Sequence, residues 1–132
     1  MMEMNTDSLK ADRARAQLAR QIAAYSFGVP VEILGGPTRG GAEAAFARQV
    51  AMYLAHIGFE MSLGRVGAAF GRDRSTVAHA CHIVEDRRDD RVFDALMDEM
   101  EAALRALPMP ETAIEACYAR TLGPQQRAGA GW

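Results

Sequence analysis

The sequence predicts an all-α fold built around a helix-turn-helix, and three observations predict it. Apolar residues recur at helical spacing along most of the chain, and no stretch shows the two-residue alternation of a strand. Glycines and prolines stand where those patterns stop, at Gly28, Gly58, Pro108 and Pro110. Between Ser62 and Val84, two short helical patterns meet at a single glycine, Gly71. Residues 1–6 lack periodicity and are expected to fray. The domain is expected over 7–107, and 108–132 should hold a short extra helix and a flexible tail.

Asp7 or Ser8 can cap a first helix running to about Phe27, with Leu18, Ile22 and Tyr25 on one face and Gly28 as its stop. Pro30 suits the first turn of a short helix through Leu34. Gly35 to Gly41 reads as an open loop. It lacks the Gly-Lys-Ser/Thr ending with which a P-loop holds phosphate and magnesium. A second long helix is expected from Ala42 to Ile57, burying Phe46, Val50, Tyr53, Leu54 and Ile57.

Ser62 is a hydroxyl N-cap, and Leu63, Val66, Ala69 and Phe70 follow at helical spacing. Gly67 and Ala68 are small enough to let this helix lie close against the next. Gly71 enters left-handed backbone at no steric cost, so the chain turns there. Asp73 then caps a helix on which Val77, Cys81 and Val84 share an inward face. Its outward face carries Arg74, Ser75, His79 and His82, with Thr76 at the edge. After the charged Glu85–Asp90 segment, a helix from about Arg91 to Leu107 aligns Phe93, Leu96, Met97, Met100, Leu104 and Leu107. Pro108 and Pro110 break it, and Glu111 to Thr121 makes the final short helix. Met52, Met61, Met97 and Met100 fall at core spacing.

Composition narrows the function classes. Of 132 residues, 49% are apolar, which excludes a mainly disordered chain. No apolar run approaches the roughly 20 residues that cross a bilayer, and no signal segment opens the chain. The expected location is the cytoplasm, in association with the nucleoid. Cys81 and Cys117 lie on helical patterns and read as reduced thiols. Cys81 points inward while His79 and His82 point outward, so the three do not converge on a metal. No nucleophile or carboxylate pair sits in a catalytic setting, so neither enzyme chemistry nor a cofactor is expected.

Net charge is −2, low for a DNA binder, but the charge is unevenly placed. Between Arg39 and His82 there are five arginines against three acids, whereas Val92 to Glu115 carries six acids and one arginine. Such asymmetry assigns two surfaces to two partners.

A short helix, a glycine turn and a second helix opening on Arg-Asp-Arg-Ser-Thr is how a protein presents polar groups to a major groove. The residues Phe70-Gly71-Arg72-Asp73-Arg74-Ser75-Thr76-Val77-Ala78-His79-Ala80-Cys81 resemble the signature of the C-terminal DNA-binding domain of the bacterial replication initiator DnaA. That family typically reads Phe-Gly-Gly-Arg-Asp-His-Thr-Thr-Val-x-His-Ala-Cys. Upstream, Arg48-Gln49-Val50-Ala51-Met52-Tyr53-Leu54-Ala55 is similar to the helix before the family's helix-turn-helix. Ile22 to Tyr25 and Gly28 to Leu34 are similar to the domain's opening helices. The resemblance covers residues 15 to 105.

The resemblance implies that Asp73, Arg74, Ser75 and Thr76 read the major groove with Arg72 beside them, and His79 is placed with them. Arginine can take guanine bidentately, a threonine methyl can touch a thymine methyl, and Asp73 can cap its helix or accept from cytosine N4. Ser62, at the first helix's start, and Arg39, the one cation of the Gly35–Gly41 loop, are also expected to contact DNA, and Arg48 is placed at the DNA backbone. The chain also departs from the family. Its turn has one glycine fewer, Arg74 and Ser75 replace a histidine and a threonine, and His56 stands at a usual lysine. The family's basic minor-groove loop is reduced to Arg39, which lowers the expected affinity and salt dependence. The initiator's ATPase domain has no counterpart here, and the extra helix favours a small complete protein.

Two functions follow. The first is a sequence-specific double-stranded DNA-binding regulator of transcription or of a replication origin. The alternative is an interaction module that controls initiation by binding the initiator or its regulators. In both, the acidic C-terminal third is expected to meet a replication-initiator or transcription protein.

Overall fold

The computed structural model describes residues 6–35 and 41–107. The expectations placed on Arg39, Cys117, Trp132 and the short C-terminal helix lie outside them. Five α-helices and one 3-10 helix make up the described fold: α1 (Thr6–Phe27), the 3-10 helix (Val31–Gly35), α2 (Gly41–Gly58), α3 (Leu63–Phe70), α4 (Arg74–Arg87) and α5 (Arg91–Ala106). The short second helix thus starts one residue beyond Pro30, whose carbonyl accepts from the Ile33 amide at 3.1 Å.

Helix α2 is the axis of the domain, with α1, α3, α4, α5 and the 3-10 helix all packed against it. Its sequence explains the position. Ala44, Ala47, Val50, Ala51, Leu54 and Ala55 are buried, so neighbours approach from several sides. The face of α1 that meets it is not the expected one. Asp12, Ala16, Ala19, Ala23 and Ala24 are its buried positions, adjacent to Leu18, Ile22 and Tyr25 but not coincident with them. Leu18 and Ile22 are half-buried flanks, and Tyr25 is 89% exposed. Small side chains let helix axes approach closely, so an alanine stripe takes the interface and larger residues are displaced to its edges.

Aromatic and sulfur-bearing side chains fill the wider gaps. Phe46 meets Phe27 edge-on at 5.7 Å between ring centroids and Phe93 at 5.5 Å. Met52, Met61, Met97 and Met100 are all buried, as their spacing predicts. Leu107, assigned to the inner face of the last helix, is instead exposed beyond its end.

Two ion-pair clusters lock helices that lie far apart in sequence. On α1, buried Asp12 accepts from Arg65 of α3 through both oxygens, Nη2 to Oδ1 at 2.6 Å and Nε to Oδ2 at 2.9 Å, and from Arg15 at 3.1 Å. The Arg65 hydrogen bonds outweigh burial and hold the Asp12 carboxyl below the usual carboxylate range.

The second cluster corrects the expectation of a free acidic face on the last helix. Arg88, just past α4, donates to Asp94 at 2.5 Å, Asp98 at 2.6 Å and Glu101 at 2.7 Å. It also donates to the Tyr53 hydroxyl of α2 at 3.1 Å, and that hydroxyl donates to Glu85 at 3.2 Å. Burial opposes the Arg88 charge, but the bonds to Asp94, Glu101 and Tyr53 prevail and its proton is held more tightly than usual. Three of the acids that lend α5 its negative character are therefore spent on anchoring α5 to α4, and Glu101 is only 8% exposed.

Candidate nucleic-acid interface

The geometry of the turn between α3 and α4 fixes how α4 is presented. Ser62 caps α3 as expected, its hydroxyl accepting from the Arg65 amide at 3.2 Å. At the other end Gly71 takes a left-handed conformation (φ 69°, ψ 36°), and the Gly67 carbonyl accepts from both the Gly71 and Arg72 amides. Gly67 is the close-approach residue. A Cβ there would lie 2.6 Å from the Arg72 carbonyl oxygen. Ala68, expected to share this role, is exposed and takes no part in it.

Beyond the turn, Asp73 has the extended backbone of an N-cap (φ −65°, ψ 150°), but its side chain makes no capping bond. Backbone bonding instead continues the helix, with the Val77 amide donating to the Asp73 carbonyl at 3.1 Å. The expectation of a capping carboxylate is corrected on this point, and the exposed carboxylate faces outward beside Arg74. Val77, Ala80 and Val84 anchor the inner face of α4. Cys81 is half-buried with them, and burial, reinforced by Glu85, pushes its thiol up to about 11.

The outer face is polar and open. Arg74, Ser75, His79 and His82 are exposed and Thr76 is half-buried at their edge, the distribution that the spacing predicts. Arg72 is half-exposed at the entrance to the helix. Such a face can donate to base edges and to phosphate oxygens over the first two turns of α4.

Arg48, expected at the DNA backbone, is largely enclosed by the fold. It is 6% exposed, and its Nη2 donates to the Ile33 carbonyl at 3.0 Å, tying α2 to the 3-10 helix. Burial and then the nearby Arg72 charge weaken its hold on the proton. Arg48 and Arg72 share the wall of a cavity of about 260 Å³ beneath the turn. His56, at the site of a usual lysine, is turned inward, its Nδ1 lying 2.7 Å from the Met61 carbonyl oxygen.

Two groups escaped the sequence reading. Arg88 was one charge within a run of charges, and its partners lie 6 to 13 residues away on another helix. Arg20 of α1 lines the same cavity as Arg48 and Arg72, with its guanidinium carbon 4.4 Å from the centre of the Phe70 ring. Its one signal in the sequence is a cation placed beside the alanine stripe of α1, which bulk hydrophobicity does not mark.

The family described as bacterial dnaA protein helix-turn-helix matches residues 16–84, just over half of the chain. The chromosomal replication initiator protein DnaA of Symbiobacterium thermophilum is 42% identical over 64 residues, covering 47% of this chain and 14% of that protein. DnaA 1 of Protochlamydia amoebophila is 44% identical over 71 residues, covering 54% of this chain and 15% of that protein. A crystal structure of a DNA replication initiation factor superposes with a TM-score of 0.65 at 28% identity, over 74% of this chain and 30% of that one. The matched segments thus span about one seventh of the length of these initiators. From α1 through the glycine turn to α4, the arrangement and the matched residues coincide, and the chain belongs to the bacterial DnaA helix-turn-helix family, whose domain binds DNA.

Proposed function

We propose that this protein binds double-stranded DNA sequence-specifically, with α4 in the major groove, and that it acts at the sites of a replication initiator. One observation carries the reading: Arg74, Ser75, Thr76 and His79 form an outward polar face on a helix whose inner face is locked into the core by Val77, Ala80 and Val84. A recognition face must be both open and rigidly held, because base readout depends on small differences in hydrogen-bond geometry. The relatives named as chromosomal replication initiators support the choice of origin sites.

In this reading the roles divide by position. Arg74, Ser75 and Thr76 contact base edges, Arg72 meets the phosphate backbone at the helix entrance, and Asp73 either accepts from cytosine N4 or repels phosphate. Ser62, exposed at the start of α3, and Arg48, beneath the turn beside Arg72, are placed on the phosphate backbone.

Selection from a pool of random duplexes at low salt tests the proposal. A recovered consensus is expected, and Arg74→Ala and Thr76→Ala should each cost about 1–3 kcal/mol on it while relaxing preference at one base pair. Recovery of no consensus, or an unchanged consensus with both variants, would refute the assignment of α4.

A further inference from the structure

The cavity beneath the turn gathers three guanidinium groups from three separate parts of the chain: Arg20 of α1, Arg48 of α2 and Arg72 of the turn itself. The rest of its wall includes Leu34, Met52 and Phe70, and no carboxylate among the described residues lines it. The Arg20 Nε is buried and has no hydrogen-bond partner among the described residues. Its guanidinium carbon lies 4.4 Å over the ring of Phe70, the last residue of α3, a cation–π contact that favours this placement of the side chain. Arg20 and Arg72 are like charges on a wall that carries no carboxylate among the described residues, and an anion seated there is attracted to both.

We propose that Arg20 is a phosphate-binding residue, and that with Arg48 and Arg72 it forms a pocket for one phosphodiester of the DNA backbone. This deepens the DNA-binding function proposed above and rests on it. Three arguments select the ligand. A guanidinium presents a planar fork of donors that matches phosphate oxygens. The cavity, at about 260 Å³, holds a phosphate group with attendant water. Its place beneath the α3–α4 turn is where the strand flanking an occupied major groove passes, since the first helix of such a motif crosses the backbone. Burial lowers the proton affinity of Arg20 and of Arg48, so both guanidiniums gain from a bound anion.

The contribution of α1 also bears on the reduced basic loop. A cation brought from outside the helix-turn-helix supplies an electrostatic contact that the Gly35–Gly41 segment has few residues to make.

The test uses a 20-base-pair mixed-sequence duplex, the full chain, and the variants Arg20→Gln and Arg20→Lys, with thermal melts to show that each is folded. Fluorescence anisotropy across a salt series is expected to show Arg20→Gln binding roughly tenfold more weakly. The slope of log affinity on log salt should be shallower by about 0.9, the loss of one phosphate contact. Arg20→Lys should restore the slope because it restores the charge. In the absence of DNA, inorganic phosphate should shift the Arg20 Nε–Hε resonance of the wild-type protein. Wild-type affinity and slope in Arg20→Gln would overturn the proposal while leaving DNA binding intact. Failure of the wild-type chain to bind any duplex would overturn DNA binding itself. A phosphate-induced shift with an unaltered Arg20→Gln slope would also overturn the backbone assignment, making the pocket a site for a small phosphorylated ligand.

Discussion

Helix α3 contains two glycines that differ in one respect, and substituting each by alanine tests the geometry of the turn. At Gly67 an added Cβ meets the Arg72 carbonyl oxygen at 2.6 Å, with the Arg74 nitrogen at 3.5 Å and the Asp73 carbonyl carbon at 3.6 Å. Carbon–oxygen contacts settle no closer than about 3.3 Å, so the turn must open by about 0.7 Å. All three obstructing atoms are backbone, and none can swing aside as a side-chain end does. Overpacking of this kind costs about 1–3 kcal/mol. Against it stands the helix propensity of alanine over glycine, up to about 1 kcal/mol. The clash wins, and Gly67→Ala should be destabilised by about 1 kcal/mol. At Gly64, one turn earlier, nothing lies within 4 Å of the added Cβ. Gly64→Ala should therefore keep its propensity gain and be stabilised by about 0.5 kcal/mol. Urea midpoints measure the pair, with an unchanged slope confirming that both unfold from the same native state. Duplex binding gives a second readout, because opening the turn displaces Arg72 and Arg74 together. Gly67→Ala should bind more weakly even when fully folded, and Gly64→Ala should bind as the wild type does. If Gly67→Ala matched or exceeded Gly64→Ala in stability, the close approach of α3 to the turn would be refuted.

Further predictions concern the ion-pair clusters and the thiol. Arg88→Met leaves Glu101 buried without its principal cation and should cost about 3 kcal/mol, whereas Asp98→Lys, at an exposed partner, should cost under about 1 kcal/mol. Urea unfolding ranks them, and an equal cost would show that α5 is held by its apolar face alone. Because Arg65 holds the Asp12 carboxyl below its unfolded range, that pair contributes stability that is fully present above about pH 4. The contribution is lost as pH falls through the folded value, so Asp12→Asn should unfold with a flatter acid limb, followed by circular dichroism from pH 6 to pH 2. In a Cys117→Ser background, the Cys81 thiol, raised to about 11, should react with iodoacetamide far more slowly than a free cysteine at pH 8 and accelerate on approach to pH 11. Rapid labelling at pH 8 would show that α4 opens readily.

The local pattern determined which segments became helices and which residues α4 presents. Ser62 as a cap, Gly71 as a left-handed turn, and Val77 and Val84 as the buried side of α4 all follow from spacing and backbone chemistry within a few residues. Arg74, Ser75 and His79 face outward for the same reason, since a helix fixes the angle between its neighbours. The inner face of α1 was not legible in this way. Alanine carries little hydrophobic weight, so reading by bulk chose Tyr25 over Ala23, although close packing against α2 favours the smaller side chain. Only the tertiary structure decided the fate of the charges. Asp12 meets Arg65 across 53 residues, Arg88 collects Asp94, Asp98 and Glu101 from the next helix, and Arg20, Arg48 and Arg72 converge on one cavity. Helical periodicity sets the side on which a charge emerges, but its partner depends on how the helices cross. That is decided by core packing around α2, where the contacts join residues distant in sequence.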